Sequence, residues 1–172
     1  MINEELINEV IKCSKKAIKA ERWSMILKNR SYRNKISLES IDGKYTYRMF
    51  IRQSSEFLED FSVGLIWTNP QNYSNINRLI IMLRCQGPHD SQKPLSYDNH
   101  HSYHMHKITV DDIEQKRYDK PSFYDEVNKF SSFDEALCYF IKICDILDVD
   151  KHIKLSEHNN EYEQLTLDDE GG

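Results

Sequence analysis

Four of the chain's seven histidines fall in one run of nine residues, His100-His101-Ser102-Tyr103-His104-Met105-His106-Lys107-Ile108. Imidazole is the side chain whose ordinary titration lies closest to neutral pH, so this run is the densest store of acid–base and metal-ligating groups in the sequence. The run alternates like a strand, and alternate residues of a strand face the same way. His100, His104 and His106 then share a face with Ile108, and His101, Tyr103, Met105 and Lys107 take the other. Two residues of strand rise put His104 and His106 about 7 Å apart at Cα. That spacing suits an acid–base pair made of His104 and His106. It also suits a divalent metal such as zinc or manganese held by His100, His104 and His106. Asp90, Asp98, Asp111 or Asp112 would supply a carboxylate. The plainer reading is a strand face on which the histidines hydrogen-bond their neighbours, with no cofactor at all.

Arginine forms the second candidate site. Arg48, Arg52, Arg78 and Arg84 all fall on strand positions opposite the apolar ones, so neighbouring strands would gather their guanidiniums on one surface, within reach of His104 or His106. Such a surface binds RNA, a phosphate or an acidic protein. The alternative is cross-strand pairing with acids such as Glu39. No phosphate-binding loop, nucleophile elbow or helical H-E-x-x-H occurs. The two H-x-[ST] strands of certain phosphoesterases are absent too, because neither His104 nor His106 has Ser or Thr two residues on.

These residues need elements to carry them. Residues 3–27 recur apolar at helical spacing through Leu6, Ile7, Val10, Ile11, Ala17 and Ile18, with Lys12, Lys15, Lys16 and Lys19 on the opposite side. Strands are predicted over 35–41, 44–53, 61–68, 76–86 and the histidine run, with a hairpin turn at Asp42-Gly43. Tyr45, Tyr47, Met49 and Ile51 point inward, as do Phe61, Val63, Leu65 and Trp67, then Leu79, Ile81, Leu83 and Cys85. Thr109 caps a short turn through Asp112 and Ile113. Ser132 and Glu135 have capping-box spacing and open a helix over 133–148. Consecutive strands without intervening helices imply an antiparallel sheet. The predicted fold is therefore α+β: an antiparallel sheet of four or five strands, with an N-terminal and a C-terminal helix packed on one face.

A length of 172 residues points to one domain, and no apolar run reaches the roughly 20 residues of a membrane-spanning helix. Residues 150–172 hold seven acids and two bases, which equals the whole net charge of -5, while residues 1–149 balance. The expected organisation is a domain over 1–149 and an acidic, poorly ordered tail over 150–172. A neutral body argues against broad binding of phosphate backbones. Four cysteines without CxxC spacing, and acids rather than bases near the start, fit a cytoplasmic protein with reduced thiols.

From residue 50 to 146 the order of features resembles an uncharacterised family of small bacterial proteins associated with phage and mobile elements. The features are Phe61 to Trp67 and Leu79 to Pro88 as a strand pair ending at Gly-Pro, then Tyr103-His104-Met105-His106. A helix follows from Phe130 to Cys144 carrying Ala136, Leu137 and Phe140. The insert 89–99 and the acidic tail stand outside that pattern. The resemblance implies no activity; it implies a setting of phage defence, counter-defence of the anti-CRISPR kind, or toxin–antitoxin pairing. Two functions follow as expectations. One is a non-enzymatic protein that acts by binding another protein. The other is a small histidine- or metal-dependent nuclease or hydrolase that uses His104 and His106 and holds nucleic acid through its arginines.

Overall fold

The computed structural model describes residues 2–68, 79–89 and 102–155. It is an α+β fold built on one nine-stranded sheet. The elements run α1 (Glu4–Lys12), β1 (Lys15–Ala20), β2 (Ile26–Lys28), β3 (Ser31–Ser40), β4 (Thr46–Ser54), β5 (Phe61–Thr68), β6 (Leu79–Gln86) and β7 (His104–Lys107). They continue with α2 (Val110–Glu114), β8 (Phe123–Glu126), α3 (Phe133–Ile143) and β9 (Ile146–Leu147), and close on a 3-10 turn (Val149–Lys151). In space the strands lie in the order β8-β7-β6-β5-β4-β3-β1-β9, with β2 pairing β3 beside β1. All pairs are antiparallel except β1 with β9, which is parallel.

Both longer helices rest on the same face. Phe133 of α3 meets the ring of Phe61 edge-on at 5.9 Å. Glu9 of α1 accepts from Tyr45 Oη at 2.8 Å, and Asn8 Oδ1 accepts from Lys107 Nζ at 2.9 Å. Beneath them lie the expected inward rows of β4 and β5, Tyr47, Met49 and Ile51 against Trp67, Leu65 and Val63. Leu137 and Phe140 of α3 close the core. Burying a large aliphatic or aromatic side chain contributes roughly 1.5–3 kcal/mol, and this doubly covered row is the main source of cohesion.

Several expectations are corrected. Among the described residues the sheet has nine strands, not four or five, because β1, β2, β8 and β9 join the five expected ones. The first helix stops at Lys12, and Lys15–Ala20 is a strand whose Lys15 and Ala17 point inward. What ends the helix is Lys15 itself. Its ammonium, wholly buried, donates to Ile11 O at 2.6 Å and Cys13 O at 2.7 Å, the carbonyls left open at the end of α1. It donates a third bond to Cys144 O at 2.9 Å, at the end of α3, and lies 4.9 Å from the centre of the Tyr47 ring. One cation thus caps two helices at their negative ends. The lysine stripe expected on one helix face is split: Lys12 is exposed on α1, Lys15 is inside, and Lys16 and Lys19 are exposed on β1.

In β6 the register shifts between Leu65 and Ile66 of its partner. Ile80 and Met82 are therefore fully buried, and Ile81 lies partly exposed on the other face. The α3 helix ends at Ile143 rather than 148, and Val149 and Ile153 are core residues. The expected tail boundary at 150 therefore falls inside the packed fold, which extends at least to Leu155; residues 156–172 lie outside the described residues. Two local expectations hold. Gly43 turns β3 into β4 with φ +73°, and Thr109 with Asp112 forms a reciprocal capping box on α2.

Candidate functional site

The sheet face away from the helices carries both candidate sites, and the strand register fixes their layout. One cross-strand row reads Lys35, Phe50, Gly64, Arg84, His106, Tyr124. The next reads Arg33, Arg52, Ser62, Gln86, His104, Glu126. Arg84 is thus the direct neighbour of His106, as the arginine surface required, whereas Arg48 and Arg52 stand on β4, two strands further away. Arg78 and His100 lie outside the described residues, as do Asp90 and Asp98.

His104 and His106 share a face, as alternation predicts, but they are inside: 0% and 8% exposed. His104 Nδ1 lies 2.8 Å from Ser102 O. A carbonyl only accepts, so this nitrogen carries the proton. The ring of His104 stacks on Tyr124, centroids 4.9 Å apart at 26°. His106 stands edge-on to His104 at 5.0 Å and to Tyr124 at 5.6 Å, and His89 lies 5.3 Å from His104. Tyr124 Oη is 2.9 Å from Ser102 Oγ. The result is a packed aromatic stack joining β7 to β8.

Of the acids proposed as further ligands, the two that are described, Asp111 and Asp112, are occupied elsewhere. Asp112 caps Thr109 and accepts from Arg117 Nε at 3.0 Å and Ser122 N at 3.0 Å. Burial would raise its carboxyl, but these hydrogen bonds outweigh that and hold it below the ordinary carboxylate value. Asp111 pairs with Arg117. Among the described residues no three His, Cys, Asp or Glu side chains converge on a metal position.

The arginines divide into three situations. Arg52 is held by Asp60 in a two-pronged pair of 2.9 and 3.1 Å, so its charge is spent internally. Arg84 is half-buried and its guanidinium is pushed below its usual pKa by burial; Nε has no hydrogen-bond partner among the described residues. Of the three candidate arginines among the described residues, Arg48 alone is exposed. It joins a group that strand alternation makes visible once β1 is recognised. Lys16, Lys19, Arg33 and Lys35 are exposed on the same face, with Lys19, Ser37 and Arg48 aligned across three strands. Among the described residues none of these five makes an ion pair; Glu39 lies on the same strand positions next to Lys16, and exposed Glu21, just after β1, bonds its backbone N–H to Lys35 O at 2.8 Å. Reading β1 as helix hid two of them. The alternation Arg33-x-Lys35-x-Ser37 against buried Asn34, Ile36 and Leu38 was the signal for two more.

This face therefore has two halves. Over β6 to β8 it is a closed stack of histidine and tyrosine. Over β1, β3 and β4 it is exposed and cationic. Protein-family models, curated proteins and solved structures give no match to the chain. Among the described residues, no helix is long and apolar enough to cross a membrane, which leaves β-barrels unaddressed.

Proposed function

We propose that this protein acts by binding another protein through the cationic half of its helix-free sheet face. The observation that carries the reading is the set of five exposed cations, Lys16, Lys19, Arg33, Lys35 and Arg48, which make no ion pair among the described residues and gather on one face of a chain whose net charge is -5. Exposed cations gathered on one sheet face give a local field that steers an oppositely charged partner and fixes its register. A setting among phage and mobile elements, where small proteins act by occupying a surface of a larger one, is consistent with this and rests on the resemblance over residues 50–146. The alternative, a nuclease or hydrolase working through His104 and His106 with or without zinc or manganese, is less well supported. A general base must reach its substrate's proton within hydrogen-bond distance, and these two rings are buried against each other and Tyr124.

The test is a photo-crosslinking residue at Ser37, in the middle of the cationic face, introduced into the full chain in its native host. A discrete protein adduct that disappears when Lys35→Glu and Arg48→Glu are added supports the reading. An adduct removed by nuclease treatment, or cleavage of DNA or RNA that is lost on His104→Ala, overturns it.

A further inference from the structure

We infer that the partner segment seated on this face is an extended acidic polypeptide with carboxylates at alternate positions; this rests on the interaction reading above. Successive rows of the face are two residues of strand apart, about 6.6 Å. Lys16 lies in the first row, Lys19 and Arg48 in the second, Lys35 in the third and Arg33 in the fourth. An extended polypeptide repeats its own side chains on one side at the same spacing of about 6.6 Å. Acids at positions i, i+2 and i+4 of such a segment, running along β3, therefore meet one row each without strain in either chain. Lys19 and Arg48 flank β3 at about 4.8 Å on each side, so the second row grips a carboxylate from both sides. Arg33 and Arg48 add planar two-pronged donors suited to carboxylate.

The two ends of the track are marked. Glu39 sits beside Lys16 and repels acid there, and Arg52 beside Arg33 is already neutralised by Asp60. The segment therefore needs three or four acids and no more.

Two other anions fit worse. A small anion needs enclosure, and these five side chains are exposed. Single-stranded nucleic acid binds through aromatic platforms on which bases stack. On this face Phe50 is half-buried with its ring laid over Gly64, where an added Cβ would come 2.2 Å from Cε1. Among the described residues the exposed aromatic side chains Trp23, Tyr32, Phe57 and Phe123 are elsewhere: Tyr32 and Phe123 pair with Gln53 and Lys107 on the helix side, and Trp23 and Phe57 lie in connections. A long polyanion also meets the net negative charge of the whole chain, whereas a short acidic segment feels the field within one screening length, about 8 Å at physiological salt.

The experiment measures fluorescence anisotropy of three labelled probes with the full-length protein. The first is a ten-residue peptide of alternating Glu and Thr, the second has the same composition with its five Glu in a block, and the third is a ten-nucleotide oligothymidylate. The alternating peptide should bind at least five-fold more tightly than the block, and its affinity should fall at least ten-fold between 50 and 300 mM NaCl. Lys35→Glu with Arg48→Glu should weaken it at least ten-fold, while Lys129→Glu, exposed in the connection after β8, should leave it unchanged. Equal binding of the block peptide overturns the alternating geometry. Tighter binding of the oligonucleotide overturns the choice of polypeptide. If no peptide binds while the Ser37 cross-link still captures a protein, this inference fails and the interaction reading stands; if the cross-link is lost as well, both fail.

Discussion

Replacing Lys15 by methionine tests the most unusual feature of the fold. The substitution keeps a linear apolar stem and removes the ammonium. Three carbonyls, Ile11 O, Cys13 O and Cys144 O, then lose a donor inside the protein. A buried acceptor left unsatisfied costs about 1–3 kcal/mol, so the gross loss is about 3–9 kcal/mol. Against it stands the dehydration of a buried ammonium, several kcal/mol, which the variant no longer bears. The net expectation is a loss of roughly 2–4 kcal/mol. For a chain of this length that lowers Tm by about 4–16 °C. Urea melts followed by circular dichroism read the change directly. A difference under about 0.5 kcal/mol, the size of an ordinary surface substitution, would refute the argument that this cation holds both helix ends.

The same residue sets a sign for pH dependence. Burial lowers the Lys15 pKa below its ordinary 10.5, opposed by Cys13, Cys144 and Asp145 nearby. The folded state therefore releases this proton at lower pH than the unfolded state does. Between the folded pKa and 10.5 the unfolded chain binds more protons, so the Lys15 contribution to stability rises with pH and levels off above 10.5. Other groups act oppositely: burial pushes the Cys144 thiol up to about 12 and raises Cys85 and Tyr47 as well, so their contributions fall as pH climbs past the unfolded values. Subtracting the Lys15→Met profile from that of the natural sequence isolates the lysine. A difference curve that falls through this window contradicts the assignment.

Three further outcomes are expected. Leu83→Ala, removing a buried side chain of β6, should cost roughly 2–5 kcal/mol in a urea melt, and a change within error would mean that the wrong face of β6 is inside. Gly64→Ala should cost roughly 1–3 kcal/mol because its Cβ meets the Phe50 ring, and Phe50→Leu in the same chain should recover most of it; no recovery would place the strain elsewhere. Ending the chain after Leu155 should leave Tm within about 2 °C, whereas ending it after Val149 removes buried Ile153 and should lower Tm by several degrees more; equal effects would return the boundary to 150.

What was legible in the sequence follows the kind of force that makes each element. Strands β4 and β5 alternate cleanly because one side of each is core, and their inward residues were identified correctly. The Thr109–Asp112 capping box, the Ser132 cap on α3 (whose Glu135 side chain bonds Ser131 rather than closing a box) and the Gly43 turn are local chemistry and show in three or four residues. By contrast, α1 overran its end because Ala17 and Ile18 continue the helical period, with no Gly or Pro after Lys12 to interrupt it. Its stop is tertiary, a lysine three residues on that bonds its last carbonyls and those of a helix 129 residues away. The β6 register was displaced for a similar reason: the bulge belongs to its pairing with β5, and no single strand's pattern contains it. Strands β2, β8 and β9 are two to four residues long, so pairing rather than periodicity creates them. His104 and His106 share a face as read, yet their burial depends on Tyr124, an aromatic in a segment without clear periodicity.

Charge shows how a correct sum can mislead. The balance of acids and bases over residues 1–149 describes the field far from the molecule, beyond the screening length of about 8 Å. At contact, the arrangement decides. Strand alternation sends Lys16, Lys19, Arg33, Lys35 and Arg48 to one side of the sheet, while Glu4, Glu5 and Glu9 are carried on α1 on the other side. A polyanion much longer than the screening length meets the sum, which is neutral or negative. A segment a few residues long, laid on the helix-free face, meets five cations against the carboxylates of Glu39 and Glu21. The same neutrality that disfavours nucleic acid therefore leaves a short acidic peptide as the better match, and it ties the choice of partner to length as much as to sign.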